Sequence, residues 1–232
     1  MKIGVLLSGA GVYDGAEIHE SVLTLLALDT MGVSYFCIAP DKPQHHVINH
    51  LTGEEMAETR NILVEAARIA RGNITPLSQV SAKDMDGLVM PGGFGVAKNF
   101  TKWAFEGAAG EIDADVKRLI QELVAKHKPI AALCMAPTTL AKALEGTGLA
   151  PKLTVGTTAA PSPYDIAAIG EGMRSLGANV VMCAIEEVVA DDAHNIITTP
   201  CYMMEGSIAQ VYAGIQKTVA KLVEMVTLYI ES

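Results

Sequence analysis

The chain has 232 residues, half of them hydrophobic, and carries 17 basic against 26 acidic side chains for a net charge of −9. That length and apolar fraction suffice for one large core, so a single domain over 1–232 is expected, while the acidic balance argues against nucleic acid or an anionic membrane surface as partner, because phosphate binding depends on Lys and Arg. Four cysteines without any CxxC spacing (Cys37, Cys134, Cys183, Cys201) fit separate reduced thiols better than a disulfide framework or a zinc site, and a first strand that starts almost at once leaves no room for a signal core or presequence, so a cytoplasmic location is expected.

Residues 2–8 (KIGVLLS) are a continuous apolar run that predicts a buried strand, 33–39 (VSYFCIA) a second, and about 17–31 a helix between them. Strand, helix, strand in so short a span is a βαβ unit and implies a parallel sheet. Segment 40–73 is less regular: a turn near 51–54 and a helix over about 58–70 make it an insertion after the second strand. The rhythm resumes with strand 87–90, helix 112–126, strand 130–133, a helix, strand 153–155 and a helix over about 164–176. Residues 187–190 and 195–199 flank Asp191-Asp192-Ala193-His194, which suggests a hairpin, and 205–229 has apolar residues at helical spacing. The expected architecture is α/β, a mostly parallel sheet sandwiched by helices.

Cys134 stands at the junction on which this architecture turns. The run Ile130 to Leu133 is too short for a helix and is bounded by Pro129, a small-residue helix follows, and nothing is left over for a relaxed loop. The cysteine must therefore occupy a sharp strand-to-helix turn, the nucleophile-elbow geometry, at the carboxyl edge of the sheet. The first free N–H groups of the next helix face it there, an arrangement that lowers a thiol pKa. The bland alternative is a small buried hydrophobe.

Glu20 lies in the first turns of a helix that is apolar nearly all round. Such a helix is buried, so its carboxyl group would lose water, keep its proton and be able to hand it on; with no partner named elsewhere, a solvated charge near a helix start is the preferred reading of these residues alone. The turn Pro91-Gly92-Gly93 offers backbone N–H groups for half an oxyanion hole, with the N–H of Met135 as the other half. Ser8 to Gly15 follows a strand and opens a helix, as a dinucleotide loop does, and Asp41 stands where a ribose-binding acid would. Its spacing, however, is G-x-G-x-x-x-G, with Asp14 where the third glycine belongs, so tight turning explains the glycines better. His45, His46 and His50 match no metal-ligand spacing, and neither metal nor cofactor is expected.

Taken together, Ala131-Ala-Leu-Cys134-Met-Ala-Pro-Thr138, Gly15-Ala-Glu-Ile-His-Glu20 and Pro91-Gly-Gly93 resemble the ThiJ/PfpI superfamily, with its flavodoxin-like, class I glutamine amidotransferase-like fold. Further blocks, among them Ser8-Gly-Ala-Gly-Val-Tyr-Asp-Gly15, Asn49-His50, Arg60-Asn61, Ala97-Lys-Asn99 and Thr198-Thr-Pro200, resemble the ElbB branch of enhancing-lycopene-biosynthesis proteins, with its isoprenoid-biosynthesis label, over nearly the whole chain. The resemblance implies Cys134 as nucleophile, Glu20 as protonated acid, Gly93 and Met135 as oxyanion donors, and Gly92 and His19 as accessory residues. It implies a cofactor-independent glyoxalase-type lyase acting on a small aldehyde, with possible protein deglycation, and a homodimer. Met135 departs from the Gly or His that amidotransferases tend to carry after the cysteine. Gly156-Thr157-Thr158 stands where their triad histidine would follow a strand, which argues against glutamine hydrolysis. A peroxide-sensing thiol and a nucleotide-binding domain are the competing readings.

Overall fold

A computed structural model describes residues 1–231. The main sheet has seven strands in the order β3-β2-β1-β4-β5-β9-β8. β1 (Lys2–Leu6), β2 (Ser34–Ala39), β3 (Ile74–Pro76), β4 (Gly87–Met90), β5 (Ile130–Leu133) and β9 (Ile196–Thr199) run parallel. Only β8 (Val189–Asp191) runs antiparallel, paired with β9 as the hairpin pattern requires. Every residue of β4, β5 and β9 is buried, which is why these strands read as unbroken apolar runs rather than alternating ones.

Among the described residues seven α-helices accompany the strands: α1 (Ile18–Thr30), α2 (Ile62–Ile69), α3 (Trp103–Glu106), α4 (Ala114–Ala125), α5 (Ala136–Leu144), α6 (Ile166–Ser175) and α7 (Ile208–Glu231). The strand order reverses at β1 and β4, and right-handed crossovers then place helices on both faces; α1 packs on α7, and α4 on α5. Side chains fix several helix starts: Asn61 caps α2, Asp113 caps α4 and Asp165 caps α6. In an open α/β sheet the crevice beside such a reversal is where ligands bind. The loops after β1, β4 and β5 all meet there.

The structure departs from the sequence reading in three places. The strand expected at 153–155 is β6 (Lys152–Leu153), which pairs with β7 (Asn179–Val180) in a separate two-stranded sheet. β3 follows directly on the irregular segment 40–73, where the sequence reading has no strand, and its Ile74, Thr75 and Pro76 pair with Cys37, Ile38 and Ala39. Third, α1 is not buried all round. Its inward residues are Glu20, Ser21, Thr24, Ala27 and Leu28, while Ile18, Val22 and Leu26 face outward at 46–47% exposure. Burial of Glu20 therefore comes from the inward face of a helix with an apolar outer stripe.

Candidate active site

Cys134 continues the β5–β9 ladder by donating its backbone N–H to the carbonyl of Thr199 at 2.9 Å. It then turns the chain into α5 with φ +58°, a left-handed conformation that costs a non-glycine residue roughly 1–2 kcal/mol. No side chain caps α5, so its leading N–H groups are unsatisfied by the chain's own caps. The N–H of Met135 donates to the Cys134 sulfur, and so does the N–H of Gly93 from the turn after β4. Gly93 has φ +95°, and a Cβ there would lie 2.4 Å from the backbone of Gly15 and Glu17.

Glu20 reaches the same sulfur from α1. Its carboxyl group hydrogen-bonds the Cys134 side chain, Oε2 accepts from the N–H of Gly92 at 2.8 Å, and Oε1 accepts from the N–H of Tyr202 at 3.3 Å. The residue has no exposure at all. Burial, joined by the neighbouring negative charge of Glu17, pushes its pKa up to about 8. A pKa raised that far keeps Glu20 mostly a carboxylic acid at neutral pH, the form that the family resemblance implies.

Gly92 holds the pair together without donating to the sulfur. Its N–H binds Glu20, its carbonyl accepts from the N–H of Glu17 at 2.9 Å, and a Cβ would lie 2.4 Å from the Cβ of Cys134 and 2.9 Å from both its sulfur and Glu20 Oε2. His19, by contrast, points away: its Nδ1 hydrogen-bonds the hydroxyl of Tyr202 at 2.9 Å on the exposed side. It can touch the sulfur's surroundings only through that tyrosine, because adjacent helix residues diverge by about 100°.

The expected low thiol pKa is not what the geometry gives. Burial foremost, and the charge of Glu20 whenever that acid ionises, push the Cys134 thiol well above its ordinary value, against the pull of the two N–H groups. The helix terminus is present, but the thiol of a residue only 6% exposed loses more to desolvation than two neutral donors return. Its opening is a cavity of about 20 Å³ lined by Val12, Glu17, Phe94, Met135, Tyr164 and Tyr202, among others. That holds about one water molecule.

Sequence reasoning missed four participants. Glu17 caps α1 by accepting from the N–H of Glu20 at 2.6 Å, and burial raises its pKa too. Tyr164 and Tyr202 wall the cavity. Cys201, fully buried at φ +46°, places its sulfur against the backbone N–H of Cys134. Only Glu17 had a signal, as the acid preceding a helix; the others come from chain far away in sequence.

The glycine loop after β1 is not a phosphate cradle. Asp14 is buried, and its Oδ2 accepts from the N–H of Ile48 at 2.7 Å, while the start of α1 is already occupied by the carboxylate of Glu17. A Cβ on Gly15 would lie 2.3 Å from the N of Ala10, so the glycine serves the loop's own compaction. This removes the physical basis of the nucleotide-binding reading. Among the described residues, those that line the cavity over Cys134 include no histidine.

The DJ-1/PfpI family model matches residues 12–159. The ES1 protein homolog, mitochondrial, of Rattus norvegicus is 39% identical over 228 residues, 97% of this chain and 84% of that protein. The human glutamine amidotransferase-like class 1 domain-containing protein 3, mitochondrial, is 38% identical over 228 residues, 97% of this chain and 83% of its own length. Among solved structures, an isoprenoid biosynthesis protein with amidotransferase-like domain from Ehrlichia chaffeensis superposes with a TM-score of 0.87 at 35% identity, covering 97% of this chain and 99% of its own. The fold likeness agrees with the expected class I glutamine amidotransferase-like architecture. The expected cytoplasmic location is contradicted, since both relatives are named as mitochondrial proteins.

Proposed function

The chain belongs to the DJ-1/PfpI family, and we propose that Cys134 and Glu20 act together as a cofactor-independent glyoxalase, adding water across a small 2-oxoaldehyde to give a 2-hydroxy acid. The observation that carries this reading is a fully buried carboxyl group hydrogen-bonded to a cysteine sulfur that also faces two backbone N–H groups; burial raises that carboxyl's pKa to about 8, which favours its protonated form at neutral pH. A neutral carboxylic acid is a two-ended proton shuttle. As the sulfur attacks the aldehyde carbon, one oxygen of Glu20 takes the S–H proton while the other gives its proton to the aldehyde oxygen. The product is a hemithioacetal, and no net charge is created. The N–H groups of Gly93 and Met135, freed as sulfur loses electron density to the new bond, stabilise the oxygen one bond further out. Glu20 then removes the proton from the former aldehyde carbon and protonates the adjacent ketone oxygen, giving an enediol. Glu20 next gives its proton to the second carbon and takes the hydroxyl proton of the first, which leaves a thioester, and water cleaves it to release the acid and restore the thiol.

Cavity size supports a small free aldehyde over a sugar adduct on a protein. A site with room for about one water must widen for any aldehyde, and least for the smallest. Glyoxal should accordingly be turned over faster than methylglyoxal, and phenylglyoxal least. The test is turnover of these three aldehydes by wild type, Cys134→Ala and Glu20→Gln. A loss of at least about a hundredfold in kcat for both variants is expected, with kcat/KM in wild type falling above pH 8 as Glu20 ionises. Retained turnover in Cys134→Ala would remove the proposal. Selective peroxide oxidation of Cys134 without aldehyde turnover would favour the sensor reading, for which the same small opening leaves enough room.

A further inference from the structure

A second cavity, of about 480 Å³, lies between the inserted segment after β2 and a π-helical turn at Val96–Phe100. Widened turns of this kind recur at functional sites because they re-aim the side chains they carry. This one turns Lys98 and Asn99 toward a wall formed by Lys42, Pro43, Gln44 and His45. Three lysines on one cavity are unexpected in a chain with a net charge of −9.

Their hydrogen bonds show what remains unused. Lys42 is already neutralised, by Asp113 at 2.5 Å and Asp115 at 3.8 Å. Lys98 donates once, to the carbonyl of Tyr13 at 2.8 Å. Lys102 donates to the carbonyl of Lys98 and to His45 Nδ1, both at 3.1 Å. Among the described residues neither Lys98 nor Lys102 has a carboxylate in ion-pair range, although the exposed Glu111 shares the wall. An ammonium has three N–H groups, so about three donors are left over on the two lysines. The histidine adds a fourth: with Nδ1 accepting from Lys102, the neutral ring carries its proton on Nε2. Neutrality of His45 is supported by burial and by the adjacent Lys102 cation, both of which lower its pKa.

We propose that this cleft binds a phosphate monoester, its dianionic head held by Lys98, Lys102 and the Nε2–H of His45. Glu111 and Asp113 share this lining, the latter held by Lys42; unused donors on two lysines that lack an ion-pair partner suit an anion, and a doubly charged one best. Its volume exceeds what a bare phosphate needs and lies in the range of organic ligand sites. Pro43 is exposed on this wall and offers the organic part of the ester an apolar contact. The proposal uses no residue of the Cys134 cavity and stands apart from the glyoxalase reading.

The probe is phenyl phosphate, titrated calorimetrically into the full chain at low salt, with phenol as the uncharged control. Saturable binding at one site per chain is expected, with no binding of phenol. Lys102→Gln and Lys98→Gln should each weaken it at least tenfold, Lys102→Arg should restore most of it, and Lys83→Gln, on an exposed turn elsewhere, should leave it unchanged. Lys98 also bonds the loop at Tyr13, so the Lys102 pair keeps the test decisive if Lys98→Gln misfolds. Absence of saturable binding, or affinity unaffected by Lys102→Gln, would overturn the assignment.

Discussion

Gly92 shows how narrowly the site is built. The turn must bring a backbone N–H to Glu20 while passing within touching distance of Cys134, and only a residue without a Cβ can do both. Gly92→Ala should therefore cost about 1–3 kcal/mol of stability through overpacking and abolish turnover, measured by thermal melts beside aldehyde assays; a stable, active variant would contradict the geometry. The position of Cys134 was legible in the sequence because an elbow leaves a local mark, whereas Glu20 was singled out by the resemblance of Gly15 to Glu20 to a family motif and not by its helix, whose outer face is exposed. The thiol's raised pKa was not legible. It depends on how completely Phe94, Tyr164, Tyr202 and their neighbours close over the sulfur, and no motif encodes that closure. Phe94→Ala should open the cavity and raise kcat/KM for phenylglyoxal relative to glyoxal, read as the ratio of the two; an unchanged ratio would mean that Phe94 does not limit entry.

At the scale of elements, the strands that build the site were read almost residue for residue. β5 and β4 fall where their apolar runs fall, and α1 begins beside its capping acid, Glu17. What failed were elements whose partners lie outside the local pattern. β6 has two residues and finds β7 rather than the main sheet, and three-residue β3 exists because β2 offers an open edge. Neither is long enough to impose a period of its own. The misjudged exposure of α1 has a different origin: Ser21, Thr24 and Ala27 let that helix approach closely, so its bulkier residues turn outward. Periodicity finds a helix, but the side facing the core is set by what it packs against.

On the whole molecule, the outward stripe of Ile18, Val22 and Leu26 is an apolar surface beginning on the helix that carries Glu20. We propose that it is the contact face of a homodimer, the assembly implied by the family resemblance, since contiguous apolar patches mark interaction sites. Light scattering should give twice the chain mass for wild type and the chain mass for Val22→Glu; a monomeric wild type would contradict it. Stability also responds globally to the buried acid. Because the folded-state pKa of Glu20 is raised from 4.5 to about 8, its contribution is fully present below about pH 4.5 and is lost as pH rises toward 8, with a slope of at most about 1.4 kcal/mol per pH unit. Glu17, raised for the same reason, acts in the same sense. Glu20→Gln should flatten this decline in denaturant midpoints between pH 5 and 8. The central claim, a proton held on Glu20 against the sulfur, is tested most directly by carbon NMR of carboxyl-labelled glutamates across a pH titration. One resonance should titrate near pH 8, vanish in Glu20→Gln and move in Cys134→Ser. If every glutamate instead titrates in the ordinary range near 4, the acid is ionised at neutral pH and the proton shuttle does not exist.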